Sequence, residues 1–164
     1  MGTRTGIYPG AFDPITFGHL DIIKRSLNMV DKLIIGVADN INKISLLSLD
    51  DRKKLILSDI KTYLGTKIDI SINTVSGLLT DYAKKNNVTC IIRGLRAVSD
   101  FEYEFQMTGM NYQLNPNVDT IFLMSSEKYS FISSNFIKEV HKLGGDVSRF
   151  VSKNTINILN TKNI

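Results

Sequence analysis

The chain has 164 residues, enough for one domain of roughly 100–200 residues with a sizeable buried core. Hydrophobic residues at 43% and charged residues at 22% exclude a disordered class, while 3 prolines, 11 glycines and 1 cysteine exclude collagen-like, proline-rich, disulfide-stapled and cysteine-zinc classes. The net charge of +4 suits an anionic partner without choosing among nucleic acid, membrane and a phosphorylated small molecule.

Residues 5–8 form a short apolar run ended by Pro9-Gly10, a first strand. Residues 19–30 carry Leu20, Ile23, Leu27 and Val30 at helical spacing. Residues 32–38 read as a buried strand, and Ser48 opens a helix with Asp51 placed like a capping-box acid and Gly65 as its stop. Residues 67–74 alternate Ile68, Ile70 and Ile72 with polar neighbours, a third strand. A short helix over 78–85 precedes a fourth strand over 88–92, stopped by Arg93-Gly94. An aromatic-rich helix over 100–114, a fifth strand over 119–124, and helices over 133–143 and 152–159 complete the chain.

Alternating strands and helices predict a single α/β domain over residues 1–164, a doubly wound, five-stranded parallel sheet, Rossmann-like, with helices on both faces. No apolar stretch approaches the roughly 18 residues of a membrane span. The early Pro9-Gly10 and Asp13-Pro14 turns break any signal-peptide core, so no membrane and a cytoplasmic home are expected. Cys90, inside an apolar run, reads as a buried inert thiol.

In such sheets ligands bind beyond the carboxyl ends of the strands. The segments there carry His19, Lys43, Arg93, Arg96 and Lys128, together with two predicted helix N-termini, and helix N-termini attract anions. Cations and helix ends on one rim suggest a polyphosphate ligand. Each has a plainer reading: His19 and Lys43 as surface residues, Ser130, Ser133 and Ser134 as N-caps, and Phe101, Tyr103, Phe105 and Tyr112 as core or interface. His141 reads as a surface residue near a helix C-terminus. Neither GxGxxG nor GxxxxGK[ST] occurs, so this is another kind of phosphate loop.

Thr16-Phe17-Gly18-His19, after Gly10-Ala11-Phe12-Asp13-Pro14, resembles the (T/H)xGH signature of the nucleotidylyltransferase superfamily. The block from Ile92-Arg93-Gly94-Leu95-Arg96 to Glu104, the run Tyr129-Ser130-Phe131-Ile132-Ser133-Ser134 with Lys138-Glu139-Val140, and Gly77-Leu78-Leu79 are similar to the bacterial phosphopantetheine adenylyltransferases. The resemblance implies adenylyl transfer from ATP to 4′-phosphopantetheine, giving 3′-dephospho-coenzyme A and pyrophosphate. It implies that His19 contacts the ATP phosphates, that Lys43 and Arg93 hold the substrate phosphate, and that Leu79 lies on the pantetheine side. Ala11, Phe12, Gly94, Leu95, Arg96, Glu104, Tyr129, Ser130, Phe131, Ile132, Ser133, Ser134 and Asn135 correspond to ATP contacts. Mg²⁺, a homohexamer built as a dimer of trimers, and coenzyme A as a feedback ligand are implied as well.

Two positions depart from the family pattern. Ala11 stands where Thr, sometimes Ser, contacts the substrate phosphate, and Asn135 stands where a third Ser is common. Three rivals remain at this stage: a relative acting on a pyridine mononucleotide, a nucleotide- or coenzyme A-binding regulator, and a nucleic-acid binder. The last is weakened by the absence of a dense basic run.

Overall fold

The computed structural model describes residues 2–39, 44–65 and 69–162. The strands are β1 (Thr5–Gly10), β2 (Lys32–Ala38), β3 (Ile70–Val75), β4 (Cys90–Leu95) and β5 (Asp119–Met124). The helices are α1 (Phe17–Ser26), α2 (Leu49–Tyr63), α3 (Leu79–Lys85), α4 (Val98–Leu114), α5 (Ser134–Lys142) and α6 (Lys153–Thr161). The sheet is parallel, in the order β3-β2-β1-β4-β5, so chain order reverses across β1.

Strand periodicity sends alternate side chains to opposite faces. Tyr8, Leu33, Ile35, Val37 and Ile92 face α1 and α2, where Leu20, Ile22, Ile23, Leu55, Ile56 and Ile60 close the larger core. Ile7, Ile34 and Ile91 face the other way, against Ala83 of α3, Val88 and Val118. Helices on both faces explain why β2, inside the sheet, is an almost unbroken apolar run, while the edge strand β3 alternates with polar residues.

Local chemistry sets the boundaries. Ser48 accepts the Asp51 N–H at 3.1 Å and caps α2, while Gly65 takes φ +98 just past its end. Cys90 is buried and burial raises its thiol pKa, as an inert core thiol requires. Two strand ends correct the sequence reading. Pro9-Gly10 lies within β1, and β4 runs through Arg93-Gly94 to Leu95. Residues 67 and 68, expected at the start of the third strand, lie outside the described residues; β3 begins at Ile70.

The aromatics of α4 are not core. None of its 17 residues is buried, and Tyr103, Phe105 and Tyr112 are more than half exposed. Among the described residues no helix is long and apolar enough to cross a membrane.

One feature of the ladder positions the site. β1 keeps its register with β2 as far as Gly10 opposite Val37, and β4 keeps its register with β5 as far as Leu95 opposite Met124. Between β1 and β4, however, pairing covers Gly6 with Cys90 and Ile7 with Ile91 alone. The two middle strands therefore part toward their carboxyl ends, at the point where strand order reverses.

Candidate active site

A cavity of about 360 Å³ opens at this split. Its walls come from the segment after β1, from Arg93 to Asp100, from Glu104 of α4, and from Ser125 through the start of α5. Gly94 lets the floor close: a Cβ there would meet Ile22 of α1 at 3.1 Å.

His19 enters from the first turn of α1. Thr16 is the N-cap; its hydroxyl accepts the His19 N–H at 3.4 Å, and its own backbone N–H donates to His19 Nδ1 at 3.1 Å. The Thr16 hydroxyl also lies 2.9 Å from Nδ1. An Nδ1 that accepts leaves the ring proton on Nε2. Burial, and then the nearby Arg96 cation, lower the His19 pKa to about 4, so the ring is a neutral donor at pH 7. Phe12, 5.0 Å away between ring centroids, packs against it.

Three cations line the described cavity, each beside a carboxylate. Arg93 pairs with Glu104 through both Nε, at 2.6 Å from Oε2, and Nη2, and its Nη1 donates to Pro9 O at 3.0 Å. This bidentate fork fixes the guanidinium plane. Arg96 makes the same kind of pair with Asp100, at 3.0 Å from both Nε and Nη2. Lys138 Nζ lies 3.0 Å from Asp13, whose buried carboxylate also accepts the Leu46 and Leu47 N–H groups at 2.9 Å each.

α5 supplies backbone donors. Ser133 caps it by accepting the Phe136 N–H at 3.1 Å, and its first turn carries no acidic residue. The Ser134 hydroxyl donates to Pro14 O at 2.8 Å, tying α5 to the segment after β1. Ser134 and Asn135 line the cavity at the positive end of the helix, where orphan N–H groups receive anions. Asp21 of α1 accepts the Ser126 hydroxyl at 2.8 Å and steadies the opposite wall.

The structure thus brings together Ala11, Phe12, His19, Arg93, Gly94, Arg96, Glu104, Tyr129, Ile132, Ser133, Ser134 and Asn135 from the sequence expectations. Five others do not line the cavity, among them Lys128, whose Nζ lies 5.1 Å from the centroid of the Tyr129 ring. Leu79 packs at the start of α3 against the smaller core, Leu95 is buried, Ser130 donates to Glu127 O, and Phe131 is exposed and edge-on to Phe150. Lys43 lies outside the described residues.

Sequence reasoning missed Asp13, which it took for a turn residue. A carboxylate between Phe12 and Ile15 in an apolar stretch was the available signal that it is buried and paired. It also missed Tyr8, whose buried hydroxyl lines the floor and whose pKa burial raises, against the opposing pull of Arg93 and Arg96.

Residues 7–140 match the Cytidylyltransferase-like family. A phosphopantetheine adenylyltransferase from Wolbachia pipientis subsp. Culex pipiens is 56% identical over 153 residues, 93% of this chain and 89% of that protein. Another from Rhodospirillum centenum is 50% identical over 149 residues, 91% and 81% respectively. Among solved structures, a Plasmodium falciparum nicotinic acid mononucleotide adenylyltransferase complexed with NaAD superposes with a TM-score of 0.73 at 17% identity, covering 99% of this chain and 97% of that one. At that identity the likeness speaks for the fold.

Proposed function

This chain belongs to the phosphopantetheine adenylyltransferase family, and we propose that the cavity at the β1–β4 split is where it joins the adenylyl group of ATP to 4′-phosphopantetheine. The products are 3′-dephospho-coenzyme A and pyrophosphate. A phosphate oxygen of phosphopantetheine attacks the α-phosphorus of ATP, and the bond from that phosphorus to the bridging oxygen of the β-phosphate breaks. The nucleophile is already anionic at neutral pH, so no base has to remove a proton. The demand is to hold two mutually repelling anions in line and to neutralise the charge of the departing pyrophosphate.

The arrangement of His19 carries this reading. Its Nδ1 is occupied by Thr16, so Nε2 is free to donate to the phosphates as charge develops. Arg93, held flat by Glu104 and Pro9 O, receives the substrate phosphate together with Lys43. Arg96 and the first turn of α5 receive the ATP phosphates. Leu79 serves the pantetheine arm from beyond the cavity rim.

Mg²⁺ is proposed to travel with the nucleotide, its charge offsetting that of the phosphates. Among the described residues no cluster of three or more His, Cys, Asp or Glu could hold a metal, and the cavity carboxylates are engaged by Arg93, Arg96 and Lys138. Phosphate oxygens and water are the ligands this ion prefers, and no step is assigned to it. Coenzyme A, which shares the arm and the adenylate of the product, would compete for the same cavity as a feedback ligand. The exposed aromatic and methionine side chains of α4 support assembly into the family's hexamer. A cytoplasmic location is proposed with it.

The test is pyrophosphate release by purified protein. Release is expected with ATP plus phosphopantetheine and not with ATP plus nicotinamide mononucleotide. Equal or faster release with the mononucleotide overturns the reading.

A further inference from the structure

Arg52 is a charged residue in the wrong place by local rules. It follows directly on the first turn of α2, where the helix dipole favours the acids Asp50 and Asp51 and opposes a cation. It is also buried, at 4% exposed, and its Nε finds no partner among the described residues. A buried guanidinium with an idle N–H is costly unless its other bonds repay it. Those bonds are specific. Nη1 donates to Ala11 O at 2.9 Å and to Ala38 O at 3.0 Å, so one group grips the chain just past β1 and at the last residue of β2.

The Ala11 bond has a geometric consequence. The Ala11–Phe12 peptide is planar, so a carbonyl aimed at Arg52 turns the Phe12 N–H to the opposite side. Ala11 and Phe12 both line the cavity and Arg52 does not. That N–H has no partner among the described residues. Phe12 also holds φ +49, a left-handed conformation that a bulky residue adopts only when its surroundings impose it. Two constraints meet there: the Phe12 ring, buried edge-on to Tyr8 at 5.5 Å between centroids, and the clamped carbonyl before it.

We infer that Arg52 is a positioning residue for adenylyl transfer, clamping the Ala11 and Ala38 carbonyls so that the Phe12 N–H faces the bound phosphates. The inference rests on the proposed function. It assigns Arg52 no contact with substrate; it acts through the Ala11–Phe12 peptide.

The test compares Arg52→Met, which removes the donors at similar length, with Arg52→Lys, which keeps the charge and can satisfy one carbonyl. Pyrophosphate release is measured with phosphopantetheine, and kcat is expressed per folded molecule from near-ultraviolet circular dichroism. Arg52→Met is expected to lower kcat per folded molecule about tenfold or more, with Arg52→Lys falling between it and the parent. A purely structural role lowers the folded fraction and leaves kcat per folded molecule unchanged. Folded Arg52→Met within twofold of the parent overturns the inference. If Arg52→Met does not fold, Arg52→Lys decides: at least threefold below the parent is expected, and parent-level kcat overturns the inference. A parent protein that does not turn over phosphopantetheine removes the proposed function instead, so the two failures are separable.

Discussion

Acid should destabilise this protein through His19, and the amount can be worked from its surroundings. In the unfolded chain the imidazole titrates near 6.5; in the fold, burial and Arg96 bring it to about 4. The folded value lies below the unfolded one, so between them the unfolded chain binds a proton that the folded chain refuses. The contribution is intact above pH 6.5 and is lost as the pH falls toward 4, at about 1.4 kcal/mol per pH unit. Between pH 7.5 and pH 5 that amounts to about 2 kcal/mol. The physical cause is the loss of water around a charged ring, reinforced by the Arg96 cation beside it, and the neutral ring is the form whose Nδ1 can accept the Thr16 N–H. His19→Asn supplies the control, because its side-chain oxygen can take the same N–H and does not titrate. Urea unfolding at both pH values should show the parent losing about 2 kcal/mol more than the variant. Asp59, raised to about 6 by burial against a smaller opposing pull from Ser152, has the opposite sign, gaining stability as pH falls, but it is present in both proteins and cancels. Equal losses in parent and variant would refute the reasoning.

Other outcomes follow from the same geometry. Ala11→Thr restores the hydroxyl usual in the family and should raise turnover about tenfold or more, since a hydrogen bond to a charged group is worth about 1.5–3 kcal/mol; unchanged or lower turnover in a steady-state assay contradicts it. His19→Ala should lower kcat far more than it raises KM for ATP, as expected of a contact made mainly in the transition state; a rise in KM with unchanged kcat contradicts the role. Asp13→Asn leaves Lys138 without its ion pair and the Leu46 and Leu47 N–H groups competing for one oxygen. Because Asp13 is buried but Lys138 is partly exposed, breaking this pair should cost about 2–4 kcal/mol, below the roughly 3–5 of a fully buried pair, and lower the melting temperature by roughly 5–12 °C, measured by calorimetry.

Sequence periodicity located the sheet because its inner strands are sealed on both faces and its half-buried edge strands still carry apolar residues at regular spacing. β2 and β5 match the expected residues 32–38 and 119–124 end to end. It failed where a partner distant in sequence decides the outcome. Arg93 looked like a strand stop, yet its charge is met by Glu104 on the next helix and by Pro9 O, so β4 continues through it. Asp13 looked like a turn residue because the groups that satisfy it, at Leu46, Leu47 and Lys138, are far away in the chain. His19 was legible from its motif, but its tautomer was not, since that depends on the direction of a single backbone N–H. Arg52 carried no motif, and a cation just past the first turn of a helix is shared with Lys53 and Lys54 that follow, so its burial was what set it apart.

The parting of β1 from β4 bears on how a sheet can be opened cheaply. Separating two central strands ordinarily strands a row of amide donors and carbonyl acceptors. In an extended strand a residue's nitrogen and carbonyl point to the same side, and the Pro9 carbonyl points toward β4, where Arg93 satisfies it at 3.0 Å. The nitrogen on that same side belongs to proline and has no hydrogen to lose. On the β1 side the chain thus comes apart at the one residue type that leaves no orphan donor behind, and the Pro9 carbonyl is covered by the cation assigned to the substrate phosphate. A residue that would weaken a continuous central strand is here what lets β1 leave its neighbour without an orphan donor of its own at position 9.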